Sequence, residues 1–180
     1  MRLHSPYIAA ATVVAAACFT ALSLTGVQFA VNDSPSMPKG LYLTVPTTHI
    51  STGNVVALCI PKGRDADLYK ARSYLPESGR CESGIAPVLK PVAATAGDDV
   101  RVVAGRVLIN GRAIPNGEIA SMDSAGRAIP HLRDGWTRVL ADGEAFVMAT
   151  YSARSLDSRY YGHIPTSLIV ARAYPLLTTR

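Results

Sequence analysis

The chain has 180 residues and a formal net charge of +5, with 18 Lys and Arg residues against 13 Asp and Glu residues. The basic residues are scattered among acidic ones, and no basic run with interleaved aromatic residues occurs, so nucleic-acid binding is disfavoured. This charge distribution indicates a solvated surface to which anionic lipid can be attracted. The four His residues are isolated and lack ligand-like spacing, so we expect no metal ion and no other cofactor.

The first feature in chain order is an apolar segment, residues 7–31, that contains no Asp, Glu, Lys, Arg or His. A helix of that length, at about 1.5 Å per residue, exceeds a bilayer hydrocarbon core of about 30 Å. We interpret it as an uncleaved transmembrane anchor. The alternative is a cleaved signal peptide, but the apolar core of a signal peptide usually has about 7–15 residues. The predicted organisation is a short cytoplasmic N-terminus (1–6), the anchor (7–31) and one domain (32–180) large enough for its own core.

Short β-prone runs separated by turns follow the anchor. The Asn110-Gly111 pair between two such runs is a strong hairpin signal. The pattern predicts a loop insertion at 62–84, leaves 116–134 unassigned, and indicates a mostly β, partly barrel-like domain. The predicted strands are 41–45, 55–60, 88–95, 99–103, 106–109, 112–114, 144–150 and 167–174.

Two of the three cysteines, Cys59 and Cys81, flank the polar insertion, and a disulfide between them would close it. Such a bridge predicts an oxidising compartment and therefore a domain outside the cytoplasm. Two unrelated buried thiols remain the alternative. Cys18 lies inside the apolar segment and is interpreted as a packing residue. The few charges that flank this segment do not decide its orientation.

A candidate nucleophile and a candidate base lie far apart in the sequence. Ser36 is followed by Met-Pro-Lys-Gly, which cannot continue a helix, so it is expected in a loop or at a strand end. Lys90 lies in an apolar run, where desolvation would lower its pKa and allow it to accept the serine proton. Ser34, two residues before Ser36, can share a face with it and help to bind an oxyanion beside a backbone N–H.

A third polar segment, SLDSRYYG at 155–162, contains Asp157 and Arg159. By itself it is also compatible with a structural turn that holds an internal ion pair. A linker is likewise a sufficient explanation of the segment around Ser36 taken alone. The order of all three segments along the chain is what favours a serine peptidase that lacks a histidine base.

The segments SPSMPKGLY (34–42), KPVAATAGD (90–98) and SLDSRYYG (155–162) resemble the signal peptidase I family of S26 serine peptidases. That family has a catalytic Ser-Met-Pro near the end of a membrane anchor, a Lys followed by Gly-Asp, and a later Ser-x-Asp-Ser-Arg-x-x-Gly. The first segment, the short length and the single anchor are similar to the TraF-type peptidases of conjugative transfer systems.

The resemblance implies a role for each matching residue. Ser36 is expected to be the nucleophile and Lys90 the general base. Ser34 and the Ser36 N–H are expected to form the oxyanion hole, and Ser155 to orient the lysine. Asp157 and Arg159 are expected to support the site, with a more direct catalytic part for Asp157 in the TraF-type branch.

The resemblance also implies a substrate, a location and partners. The expected substrate is the pilin precursor of a conjugative transfer or type IV secretion system, which is processed and cyclised head to tail. Components of that system are expected partners, and so is the lipid of the inner (cytoplasmic) membrane, with the catalytic domain in the periplasm. The Gly-Asp-Asn that general signal peptidases carry before the last motif is replaced here by Ala149-Thr150-Tyr151-Ser152. A general signal peptidase and a non-catalytic structural component of the secretion apparatus remain the alternatives.

Overall fold

The computed structural model describes residues 7–14 and 25–179. Residues 7–14 are helical. Among the residues described, none of the helices combines the length and the apolar character needed to cross a bilayer. Residues 15–24 of the predicted anchor lie outside the described ranges, so the anchor stays a prediction. Its last four residues, 28–31, belong instead to a strand, because their backbone pairs with the strand that follows.

The region from residue 25 to residue 179 consists mainly of short strands. Helix α1 (Arg64–Ala71) lies within the predicted insertion, and helix α2 (Ser158–Tyr161) and a 3₁₀ turn (Thr166–Leu168) precede the last strand. The strands are β1 (Gln28–Asn32), β2 (Lys39–Val45), β3 (Val55–Leu58), β4 (Val88–Ala94), β5 (Asp99–Val103), β6 (Arg106–Ile109), β7 (Arg112–Glu118), β8 (Thr137–Val139), β9 (Glu144–Val147), β10 (Ile164–Pro165) and β11 (Ile169–Thr179).

The strands form two antiparallel sheets. The larger has the order β1-β2-β11-β3-β4-β9-β10, and the smaller has the order β7-β6-β5-β8. The mostly β prediction is confirmed. Neither sheet closes into a barrel within the described residues, so the partly barrel-like character stays a prediction. The larger sheet ends at β1 on one side and on the other at the two-residue strand β10, whose Pro165 lacks an amide donor.

Two apolar cores meet at strand β9. Its alternating side chains divide between them: Ala145 and Val147 pack into the core that contains α1, whereas Phe146 packs into the core of the smaller sheet. This division follows from the strand period of two, which sends successive side chains to opposite faces. Strand β9 therefore joins the two sheets near the segment that leads into 155–162.

Candidate active site

Ser36 lies in the connection of the hairpin formed by β1 and β2. The side chain of Asn32, the last residue of β1, organises this connection: its Nδ2 donates to the carbonyl oxygens of Ser34, Met37 and Pro38 at 3.0, 3.1 and 3.2 Å. Its Oδ1 accepts from the Ser34 N–H at 3.3 Å. One amide side chain thus holds the backbone on both sides of Ser36.

The three segments meet at the amine of Lys90, which lies in β4. Lys90 Nζ donates to Ser36 Oγ at 2.9 Å and to Ser155 Oγ at 3.1 Å. Ser34 Oγ lies 2.6 Å from Ser36 Oγ and accepts from the Ser36 N–H at 3.2 Å. Ser36 and Lys90 are each 4% exposed, so the nucleophile candidate and the base candidate share a buried contact.

Burial changes the proton affinity of Lys90. Desolvation of the ammonium lowers its pKa from the ordinary 10.5 to about 8, the nearby Asp157 carboxylate opposes this lowering, and the Arg159 guanidinium adds to it. A larger fraction of Lys90 is therefore neutral near pH 8 than for a lysine in water. A neutral amine offers the lone pair that a hydroxyl proton requires.

Asp157 and Arg159 form a fully buried ion pair rather than a direct contact with Ser36 or Lys90. Arg159 Nε donates to Asp157 Oδ1 and Arg159 Nη2 to Asp157 Oδ2, each at 2.9 Å, and both side chains have no exposed area. Asp157 also accepts from the backbone N–H groups of Ala149 and Arg159. These contacts are those of a positioning residue, whereas the catalytic part expected of Asp157 stays a prediction.

The remaining Arg159 donors connect the smaller sheet to the segment that carries Ser155. Nη1 donates to the carbonyl oxygens of Asn116 and Glu118 in β7, at 2.6 and 3.2 Å. Nη2 donates to the Ser155 carbonyl oxygen at 3.1 Å. Arg159 therefore fixes the backbone of Ser155, whose hydroxyl accepts from Lys90.

Ser36 and Lys90 lie in a cleft of about 700 Å³. One wall is β1, an edge strand of the larger sheet, and the facing wall consists of residues 86–90 and part of the insertion. β4 pairs with β9 only from Val92 onward, so within the described ranges the backbone of residues 88–90 has no strand partner on that side. Two backbone edges thus border the cleft.

The insertion is tied to the larger sheet by the predicted disulfide. Cys59 and Cys81 are bonded, with their Cα atoms 5.5 Å apart, which confirms this pairing. The alternative of two unrelated thiols is wrong. Leu75, Pro76, Ser78 and Arg80 of the insertion line the cleft. The bridge therefore anchors one wall of the candidate site close to β3.

Comparisons with known proteins agree with the three-segment resemblance. A family model described as signal peptidase, peptidase S26, matches residues 3–177. The chain belongs to this family. A relative named conjugal transfer protein TraF, from Agrobacterium fabrum (strain C58), is 34% identical over 160 residues, which cover 88% of this chain and 87% of the relative. A plasmid transfer protein TraF from Escherichia coli is 32% identical over 173 residues, which cover 95% and 96% of the two chains.

A crystal structure of a signal peptidase I from Enterococcus faecalis V583 is similar at a TM-score of 0.37 and 17% identity, over 69% of this chain and 97% of that one. This likeness is too distant to carry weight. The resemblance inferred from the three segments is confirmed by the family match and the two relatives, and the chain is a member of a peptidase family.

The sequence predicted which side chains gather here, but it missed Asn32. Ser34, Ser36, Lys90 and Ser155 form one hydrogen-bonded group. The available signal for Asn32 was an Asn after a β-prone run and before a turn, a position where Asn often bonds to nearby backbone groups. Among the residues that the structure describes, no group of three or more His, Cys, Asp and Glu side chains is placed to hold a metal ion.

Proposed function

We propose that the protein is a membrane-anchored Ser-Lys endopeptidase of a conjugative transfer or type IV secretion system, which processes and cyclises a pilin precursor. The observation that carries the proposal is the buried 2.9 Å contact between Lys90 Nζ and Ser36 Oγ at the cleft. Membership of the S26 peptidase family and the transfer-protein names of the relatives support the reaction class and the biological setting.

In the acylation step, neutral Lys90 accepts the Ser36 proton while Ser36 Oγ attacks the scissile carbonyl carbon. The oxyanion takes hydrogen bonds from the Ser36 N–H and from the Ser34 hydroxyl, which pair with each other in the free protein. Lys90 then gives the proton to the departing nitrogen as the C–N bond breaks, which leaves the pilin esterified to Ser36. Ser155 holds the amine through its hydroxyl.

The ester is resolved by the amino terminus of the pilin rather than by water. Its neutral amine attacks the ester carbonyl, Lys90 accepts the amine proton, and Lys90 returns a proton to Ser36 Oγ as the ester bond breaks. A well-oriented intramolecular nucleophile reaches an effective molarity of about 10⁵ M or more, which competes with water. The product is a circular pilin that is lighter by one water than the linear chain of the same residues.

A peptide substrate suits the shape of the cleft. Among the residues that the structure describes, no strand pairs with the outer edge of β1 or with that side of residues 88–90. These edges offer backbone donors and acceptors to an extended chain, as in peptide recognition by strand addition. This binding mode presents the scissile carbonyl to Ser36 in an extended conformation. The Asp157–Arg159 pair supports the reaction by holding the Ser155 segment.

The proposed location is the inner membrane, with the peptidase domain in the periplasm. An exposed apolar face on β1 and β2 supports it: Phe29 and Val31 are 62% and 78% exposed and pair with Leu43 and Leu41. Leu177 of β11, 74% exposed, also pairs with Leu41. A contiguous apolar surface of this kind favours contact with lipid. The Cys59–Cys81 bridge favours an oxidising compartment.

The test is intact-mass analysis of the pilin from cells that express the wild type, Ser36→Ala or Lys90→Ala. We expect circular pilin in the wild type and unprocessed precursor in both variants. The matched control is Lys70→Ala, which removes a lysine that pairs with Asp67 on the surface of α1 and should leave processing unchanged. Processing by Ser36→Ala would overturn the mechanism, and a linear mature pilin in the wild type would reduce the protein to a hydrolase.

The same strains separate the two alternative functions. Processing of an unrelated exported precursor by the wild type would favour a general signal peptidase. Normal pilus assembly in the Ser36→Ala strain would favour a structural component of the secretion apparatus.

A further inference from the structure

Arg80 spans the cleft beside Gln28, at the opposite end of β1 from Ser36. Arg80 belongs to the insertion wall, and its Nη1 donates to Oε1 of Gln28, in the opposite wall, at 2.9 Å. The Arg80 N–H donates to Ser78 Oγ, and the next residue is the bridged Cys81. The backbone that carries this guanidinium is therefore tied down, although the side chain is exposed.

Strand β1 gives the spacing between Arg80 and the candidate nucleophile. Gln28 contacts Arg80, and Asn32, four residues later in β1, holds the Ser36 connection. At about 3.3 Å per residue, four residues of strand span about 13 Å.

The charge of Arg80 is available to a ligand. Among the residues that the structure describes, no carboxylate lies within ion-pair distance of its guanidinium, and its Gln28 partner is neutral. Asp33, the acidic residue of the cleft lining, belongs to the Ser36 connection. A guanidinium pairs best with a carboxylate, which it can bind through two hydrogen bonds.

A second small cavity, of about 170 Å³, shares Arg80 with the cleft. Ser83, 3% exposed, lines it, and its buried hydroxyl has no hydrogen-bond partner within the described part of the chain. Lys62 also lines this cavity, and Glu82 is its acidic residue. The Ser83 hydroxyl is itself shielded from solvent, so the donor that the two cavities share is the Arg80 guanidinium.

We propose that Arg80 is a specificity-determining residue, which binds a carboxylate of the substrate peptide about four residues from the scissile bond. The carboxylate is supplied by an Asp or Glu side chain or by the chain terminus. This inference rests on the proposed peptidase function, because it places the peptide in the same cleft. The disulfide contributes to specificity, since it holds the segment on which Arg80 is mounted.

The test measures binding separately from cleavage. Full-length Ser36→Ala protein in detergent is immobilised and exposed to two random peptide libraries, one with free and one with amidated carboxyl termini, and the retained peptides are sequenced. We expect at least about threefold enrichment of acidic side chains in the amidated library, or of free termini over amidated ones. Adding Arg80→Glu should abolish the enrichment of carboxylates and should enrich Lys and Arg in the retained peptides instead. Adding Arg80→Gln should abolish the enrichment of carboxylates without enriching Lys and Arg. Adding Arg112→Glu, an exposed charge reversal on β7, is the matched control and should keep it.

The outcomes distinguish the two proposals. Enrichment that is the same with Arg80→Glu and with Arg112→Glu, while circular dichroism shows both folded, would overturn the role of Arg80. Retained peptides are then given to the wild type, which should cut about four residues from the carboxylate, and cuts at unrelated spacings would also overturn it. If binding depends on Arg80 but nothing is cut, the peptidase proposal fails and the carboxylate site stands.

Discussion

Lys90 shows how one side chain can be costly for folding and useful for chemistry. The apolar surroundings that lower its pKa to about 8 disfavour the ammonium form in the folded protein. The same lowering supplies a neutral amine beside Ser36. We therefore expect stability and, under the proposed mechanism, reactivity to respond to pH through one residue.

The activity of the wild type should rise with pH through about 8, because the neutral amine is the active form and the ammonium is inactive. An unshifted lysine would give the same rise near 10.5. Lys90→Arg should lose activity by roughly 10³-fold, since a guanidinium stays protonated. The measurement is the rate of peptide cleavage between pH 6 and 11. A rise centred near 10.5 would contradict the burial of this amine.

Replacing Lys90 with Met should stabilise the protein at pH 7. The unfolded chain binds a proton at Lys90 up to pH 10.5, whereas the folded protein binds it only up to about pH 8. The wild type therefore gains stability as pH rises from 8 to 10.5, and below pH 8 it carries the full penalty of roughly 3 kcal/mol. Two lost hydrogen bonds, to Ser36 and Ser155, at about 0.5–1.5 kcal/mol each, reduce the net gain to about 0–2 kcal/mol.

Urea unfolding of Lys90→Met and the wild type at pH 7 and pH 10.5 checks this prediction. The stabilisation should shrink at the higher pH. The matched control is Lys62→Met, an exposed lysine whose replacement should change the free energy of unfolding by less than about 0.5 kcal/mol. A Lys90→Met protein less stable than the wild type at pH 7 would show that the hydrogen bonds outweigh desolvation.

At the scale of elements, the β1–β2 hairpin is the unit that presents Ser36. β2 lies between β1 and β11, and its first residues directly follow the Ser36 connection. Gly40 adopts a φ of +140°, and a Cβ at this position would lie 2.0 Å from the Leu177 carbonyl oxygen of β11. Only glycine allows β11 to approach this closely.

Gly40→Ala should therefore lower the free energy of unfolding by more than about 2 kcal/mol, because it adds a backbone clash to the strain of a positive φ. Gly53→Ala is the control: Gly53 also has a positive φ, of +87°, but a Cβ added there would meet nothing within 4 Å. It should cost about 1 kcal/mol. Thermal unfolding of the two variants provides the comparison, and equal losses would show that the contact with β11 yields easily.

At the scale of the whole molecule, two sheets with separate cores must be held in a fixed relative position for the candidate site to keep its geometry. Strand β9 contributes to both cores, and Arg159 bonds to β7 of the smaller sheet while it holds Ser155. The Arg159 guanidinium thus connects the smaller sheet to the Lys90 amine through Ser155.

Arg159→Met should destabilise the protein by about 3–5 kcal/mol, because it leaves the Asp157 carboxylate buried without its partner. The double variant Asp157→Asn/Arg159→Met removes the charge as well and should recover part of this loss. Urea unfolding of the single and double variants tests the prediction. A single variant that loses less than about 1 kcal/mol would mean that the ion pair does not hold the sheets together.

The sequence by itself determined the peptidase family and much of the local form of this protein. The segments around Ser36, around Lys90 and at 155–162 indicated the candidate site residues, because their order along the chain resembles the pattern of a peptidase family. Alternating apolar residues and turn signals indicated most of the strands. They missed β1, β8, β10, helix α1 within the insertion and the extension of β7 to Glu118. The cysteine spacing around the insertion indicated the disulfide.

Only the tertiary structure decided how these parts meet. Strand order is set by long-range pairing, so the central place of β11 and the open sheets could not be read from local patterns. The spacing of Ser36, Lys90 and Ser155 and the support from Asn32 depend on the same pairing. So does the position of Arg80 across from Gln28. A sequence records which groups are present, whereas burial and distance, which set the pKa of Lys90 and the reach of Ser36, exist only once the chain has folded.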